Sequence, residues 1–314
     1  MSRKVLLQLV LPLIGLSVLF WLLAFAPGDK HHQPALLEMS VILRDGDGNV
    51  SAMRKGMEQA AKDLNVELRF LTPAEDDSAV EQVQLLEHEV SGAAPAILLI
   101  PADREALGEA VSAAAGKTTL VTVESDMTAW GADASISMDH QALGEALGKA
   151  ALNGVSFGGT VLLLDSLLGD NGVRERMEAA KALLEEKGRQ VRIYRWTSDS
   201  TAFANILRIE RPKAVIAFEA AALTEMAELS RGEEAFPLLY GCGSTAGIAA
   251  ALEKGRVTAI AAVNVFSAGY LAVEAAAKLA RHESWTGASS VCFSVVRQET
   301  MYSSDNQKLL FPVT

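Results

Sequence analysis

Cysteine is nearly absent from this chain: Cys242 and Cys292 are the only two in 314 residues. That scarcity excludes a disulfide-dense scaffold and any zinc site built on three or four thiolates. A mixed site of two cysteines and two histidines lacks the close-spaced cysteine pair that would support it. Basic charge is also short, with 28 Lys and Arg against 39 Asp and Glu, a net −11. Such an acidic balance argues against nucleic acid, because phosphate binding needs a basic face. Glycine-rich phosphate loops are missing too: neither GxGxxG nor GxxxxGKS/T follows a strand-like run, which speaks against nucleotide binding by those routes. What the chain does have is hydrophobic residue, 50% of the total. That is ample for packed cores and rules out disorder. At roughly 150 residues per domain, the length suggests two domains.

One apolar run is long enough to matter. Val5 to Ala26 carries no charge over 22 residues and follows Arg3 and Lys4. As a helix it would extend about 33 Å, enough for a bilayer core. The positive flank stays cytoplasmic, so the remainder is expected outside. A cleaved signal peptide is the rival, although its apolar region usually runs only about 7–15 residues. Ala24-Phe25-Ala26 has small residues suited to a cut, but Pro27 would follow it and hinder it. The expectation is therefore an anchor over 1–26 and a polar linker over 27–37. The exported body would sit at the outer face of the cytoplasmic membrane, or be cleaved and secreted. His31 and His32 read as solvated linker.

After the linker, short β-branched runs alternate with longer amphipathic ones. Strands are expected at Met39–Arg44, Val66–Leu71, Ala96–Pro101 and Thr118–Glu124, with helices near Val50–Leu64, Ser78–Val90 and Asp103–Ala115. The scheme repeats with strands at Gly159–Asp165, Val191–Trp196, Ala214–Glu219 and Pro237–Gly241. Helices Gly172–Lys187, Thr201–Glu210, Ala221–Ser230 and Thr245–Gly255 fit between and after them. Most strands are continuous apolar runs, the pattern of parallel strands covered on both faces. Two such sets imply two doubly wound lobes with ligand sites at the carboxyl ends of their strands. Val257–Val263, a helix at Phe266–Arg281, and Ser290–Arg297 are left over. They require the chain to cross between lobes more than once.

Several motifs fail on inspection. Asp45-Gly46-Asp47-Gly48-Asn49 looks like a calcium loop, but Val50 and Gly56 stand where that loop needs Gly and Glu. What survives is a polar turn at the carboxyl end of the first strand, a ligand contact or a plain turn. Gly241-Cys242-Gly243-Ser244-Thr245 resembles a serine nucleophile elbow with the wrong middle residue, and no histidine is suitably placed. No metal, cofactor or catalytic set is expected. Cys242 and Cys292 could pair outside the cell; two small buried hydrophobes is the more frequent outcome. Arg174 and Arg176 follow another polar turn, where a positive side chain opposite the Asp45/Asp47 turn suits a polar ligand between lobes, against an exposed helix start as the plain alternative.

The order of segments carries a resemblance. Ser40–Leu43 enters a polar turn and then Met53-Arg54-Lys55-Gly56; Ala96–Pro101 runs into Ala102-Asp103. Leu120–Glu124 precedes Ile136-Ser137-Met138-Asp139, and Arg174-Glu175-Arg176-Met177-Glu178 opens a helix. Gly241–Thr245 and Leu252–Ala261 complete the series. Over residues 38 to about 300 the chain resembles the type I periplasmic binding proteins, in particular the ribose-binding branch of sugar-transporter solute receptors. The resemblance implies an α/β fold of two doubly wound parallel-sheet lobes joined by three hinge crossings, here preceded by an N-terminal transmembrane helix. It puts the crossings near Asp139, Asn264 and Ser289. The lobes would be 38–139 plus 264–289 and 140–263 plus 290–314.

Function follows from the same resemblance: capture of a small polar ligand, sugar or sugar-like, for an ABC transporter permease. A membrane sensor protein is the alternative partner, and an amine-bearing ligand the alternative to sugar. No nucleic acid and no enzymatic step are expected. The residues expected around the ligand are Asp45, Asp47, Asn49, Glu124, Ser125, Arg176, Trp196, Glu219, Gly243 and Asn264. Arg176 falls on the family's ligand-contacting arginine, and Glu124 takes the place of a sugar-chelating aspartate. Asp47 replaces an asparagine, Ser125 an arginine, Ala220 an asparagine and Gly243 an aspartate. Asn49 and Val50 stand where stacking phenylalanines are common, and Trp196 lies near the second lobe's aromatic position. Arg176→Ala is expected to weaken binding more than about tenfold and leave the empty protein's melting temperature nearly unchanged.

Overall fold

The computed structural model describes residues 35–44, 50–73, 78–165, 171–196, 200–231 and 235–311. The expected anchor and residues 27–34 of the linker lie outside these residues, as do Asp45, Asp47 and Asn49. Among the described residues no helix is long and apolar enough to cross a membrane.

The first sheet holds β1 (Leu37–Ile42), β2 (Val66–Leu71), β3 (Ala96–Leu99), β4 (Thr119–Glu124) and β5 (Ala134–Ser137), all parallel, in the order β2-β1-β3-β4-β5. Helices α1 (Val50–Leu64), α2 (Ser78–Ser91) and α3 (Arg104–Ala114) connect the first four strands. Helix α4 (His140–Leu152) leads into the second sheet. There β6 (Thr160–Asp165), β7 (Gln190–Arg195), β8 (Ala214–Ala217), β9 (Leu238–Cys242), β10 (Ala259–Val263) and β11 (Phe293–Val296) run in the order β11-β10-β9-β8-β6-β7. Within this sheet β11 is antiparallel to its neighbour β10. Helices α5 (Asn171–Glu186), α6 (Ser200–Glu210), α7 (Ala220–Leu229) and α8 (Ala246–Glu253) connect β6 to β10; α9 (Val265–Ala280) and α10 (Ser304–Leu310) complete the set.

The apolar runs behave as their pattern predicts. Every residue of β3, β8 and β10 is buried, because helices cover both faces of each sheet. Helix α9 returns to pack on α1 and on β3, β4 and β5, while α4 packs on α5 and under β9, β10 and β11. The leftover final third is thus shared between the two sheets. Helix starts are set by short polar side chains: Asp103 accepts from Glu105 N at 2.8 Å, Asp139 from Ala142 N at 2.8 Å, and Asn264 from Ser267 N at 3.0 Å. Each such cap is worth about 1 kcal/mol.

Three elements escape a reading of periodicity. β5 contains Ile136 as its one large apolar residue and becomes a strand by pairing with β4. α4 carries Gly144 and Gly148, which weaken it in isolation but let it approach α5 closely. α10 is too short to signal itself.

Candidate functional site

Ligands of doubly wound sheets sit at the carboxyl ends of the strands, and polar groups converge there in both sheets. Arg44 follows β1, and its Nη2 lies 2.8 Å from Glu124 Oε2 at the end of β4, both side chains buried. The loops beside them are fixed by Gln82, which is wholly buried. Its Nε2 donates to Leu43 O at 2.9 Å and Ile100 O at 2.7 Å, and its Oε1 accepts from Ala102 N at 2.8 Å. Glu124 itself has a left-handed backbone, φ 70°. Non-glycine residues held in that region mark sites where surrounding structure offsets a cost of about 1–3 kcal/mol.

His140, the first residue of α4, ties Glu124 to Arg176. Its Nε2 is 2.8 Å from Glu124 O, and Arg176 Nε donates to its Nδ1 at 3.0 Å. A carbonyl only accepts and a guanidinium only donates. Nε2 therefore carries the proton and Nδ1 is bare, so the imidazole is neutral here. Arg176 also donates from Nη1 to Phe218 O at 3.0 Å and from Nη2 towards Met138 Sδ at 3.6 Å. The residue is buried, at 8% exposure. The expectation that Arg176→Ala spares the empty fold needs correcting. Truncation would leave a buried carbonyl and a buried imidazole nitrogen without these partners, at about 1–3 kcal/mol each.

Beside this group lies Cys242, at the end of β9. Burial pushes its thiol up to about 11, an effect that Arg176 partly offsets and Glu219 reinforces. Gly243 follows with φ 133°, and a Cβ there would stand 2.7 Å from Ile248 Cδ1 and 3.0 Å from Ala220 Cβ. Among the described residues no cluster of His, Cys, Asp and Glu could hold a metal ion. The chemistry on offer is hydrogen bonding from pre-set donors and acceptors.

Against known proteins, a family model described as a periplasmic binding protein domain matches residues 40–284. The chain belongs to that family. As a periplasmic binding protein it shares its fold with sugar-bound structures at low identity. An ABC transporter solute-binding protein from Agrobacterium vitis with bound D-fucose is 19% identical at a TM-score of 0.80, covering 87% of this chain and 100% of that one. One from Burkholderia graminis in complex with D-arabinose is 18% identical at 0.77, covering 85% and 97%. A XylFII-LytSN complex matches at 17% identity and 0.76, covering 85% and 99%. No curated protein matches the chain by sequence.

The residues expected from sequence distribute as follows in this periplasmic binding protein. Glu124, Ser125, Glu219 and Gly243 lie at or just after strand ends on the polar side described above, and Arg176 reaches the same side from the second turn of α5. Asn264 lies between β10 and α9, and its carboxamide oxygen caps α9. Trp196 is 7% exposed, with its ring edge-on to Phe203 at 5.3 Å in the core of the second sheet. Arg44, Met138, His140 and Cys242 were not singled out from sequence as site residues. Arg44 was legible as the last residue before the acidic turn. The others had no signal, because tertiary packing alone brings them to Glu124 and Arg176.

Proposed function

We propose that the protein is an extracytoplasmic solute-binding protein that captures a neutral sugar or polyol between two lobes for an ABC transporter. The observation that carries this is the buried Arg44–Glu124 pair. Glu124 already has a cationic partner, so an amine would have to displace Arg44 to gain its charge. A hydroxyl, which both donates and accepts, fits without disturbing the pair. Similar folds holding D-fucose and D-arabinose support the ligand class. The reading assigns Arg176, Glu124 and Ser125 to ligand contact, together with Asp45, Asp47 and Asn49 from the turn after β1. Glu219, Gly243 and Asn264 would line the second side, with Trp196 behind them. It involves no catalytic step and no cofactor.

The lobes are assigned as 38–139 with 264–289 and 140–263 with 290–314, closing by hinge motion. Support comes from α9 packing on α1, α4 packing on α5, and Ser137 hydrogen-bonding Ser289 O and Val291 N at 2.9 and 2.8 Å. A thermal-shift screen of D-fucose, D-arabinose, myo-inositol and a panel of amines tests the ligand class. A true ligand at about 100 times its dissociation constant stabilises by about 2.7 kcal/mol. A shift with an amine and with none of the sugars or polyols would overturn the sugar reading.

Residues 1–26 are assigned as a retained anchor, on the strength of the uncharged run behind Arg3 and Lys4 and of Pro27 beyond the cleavage-like tripeptide. Amino-terminal sequencing of the mature protein decides this; a start at or after Pro27 means a cleaved signal instead. The anchor also favours a second reading, in which the closed lobes signal to a membrane sensor protein. The occurrence of this fold in a XylFII-LytSN complex is in keeping with it. Copurification with a permease or with a sensor separates the two.

A further inference from the structure

A groove of about 430 Å³ opens where α6 ends and β8 and β9 begin. Glu219 and Gly243 follow the opposite ends of those strands, so the groove is separate from the candidate cleft. Its walls include Phe203, Leu207 and Phe236, and Arg208, Arg211 and Lys213 line it with their charges. Phe203 is 1% exposed and braced by the Trp196 ring, which makes that wall part of the packed core. After α6 the chain turns back through Arg211 (φ 45°), bringing Arg211 and Lys213 to the same groove as Arg208.

The three cations are exposed, and among the described residues none has a carboxylate within ion-pairing distance. Their neighbours do: Arg192 lies 3.6 Å from Glu210, Arg231 2.9 Å from Glu228, and Arg256 4.0 Å from Glu228. Three like charges beside an apolar wall, without a carboxylate partner among the described residues in a protein of net −11, form a local field that favours an anion. Small-molecule sites are concavities of this size, mostly apolar, with a few convergent polar groups. Guanidinium forks match a carboxylate in two parallel hydrogen bonds.

We propose that this groove binds a small organic carboxylate, its charged end on Arg208, Arg211 and Lys213 and its apolar body against Phe203, Leu207 and Phe236. The ligand class differs from the neutral polyol of the cleft, and the site does not depend on that reading. Calorimetric titration of the full chain with 2-naphthoate tests it, beside 2-naphthalenemethanol, which lacks the charge, and acetate, which lacks the body. One saturable site is expected for 2-naphthoate, with each control at least about tenfold weaker. The triple variant R208Q/R211Q/K213Q should bind 2-naphthoate at least about tenfold more weakly at an unchanged melting temperature. Absence of saturable heat overturns the proposal, and so does equal binding of either control. Equal affinity in the triple variant does the same.

Discussion

Glu124 bears two costs that an ordinary surface glutamate avoids: a left-handed backbone and burial of its carboxylate against Arg44. A residue serving only the turn would be glycine or asparagine. The side chain is therefore the reason for the position. Cys242 lies in the same neighbourhood and yields a pH prediction. Its thiol is raised from 9.0 to about 11 in the fold, chiefly by burial. The unfolded chain ionises first, so stability from this residue is whole below pH 9 and is lost as pH rises towards 11. Iodoacetamide at about pH 8, where both thiols would react if exposed, should label the exposed Cys292 and spare the buried Cys242. Equal labelling of both in peptide mass spectra would contradict this burial.

Helix pairing rests on reciprocal glycines. A Cβ on Gly56 in α1 would overlap Phe266 O in α9, and a Cβ on Gly269 in α9 would overlap Met53 O in α1. In the α4–α5 pair both glycines are on α4, with Gly144 against Arg176 O and Gly148 against Leu183 Cδ2 and Ala180 O. Small residues let two backbones approach until side chains lock into grooves, and an added methyl has nowhere to go. Gly56→Ala should thus cost about 1–3 kcal/mol, read as a lower urea midpoint. Gly247→Ala in α8 is the control: it is exposed, and a Cβ there would meet only Thr245 Oγ1, at an ordinary 4.0 Å. That change should be neutral or stabilising by up to about 1 kcal/mol. A midpoint unmoved by Gly56→Ala would show that the two helices can slide apart at no cost.

Across the molecule, Arg104 on α3 reaches Glu175 on α5 at 3.4 Å and lies 5.8 Å above the Trp130 ring. The pair spans the two proposed lobes beside Arg176. Its partners are 28% and 42% exposed, so its worth is at most about 1 kcal/mol. That is about fivefold in the balance between closed and open forms. Glu175→Gln should therefore enlarge the ligand-free radius of gyration in solution scattering at low salt. Raising salt to about 0.5 M should bring the wild-type protein towards the variant, since exposed pairs are screened. Identical low-salt radii would remove this pair from the closing equilibrium.

The alternation of buried strands and amphipathic helices was legible in the chain itself, because period and burial follow from local composition. Ala96–Leu99 and Ala214–Ala217 could be read as inner strands before any contact was known. So could the polar strand end at Glu124 and the helix carrying Arg176, whose motifs stand in the family's order. The tertiary structure alone decided which polar groups meet. Arg44 and Glu124 are eighty residues apart and His140 and Arg176 thirty-six. No local pattern encodes a hydrogen bond over such distances. It alone also assigned Arg176 a structural share, turned Ala134–Ser137 into a strand, and set glycines where helices touch. In each case the deciding energy is a close contact between elements far apart in sequence, which exists only once both sheets are packed.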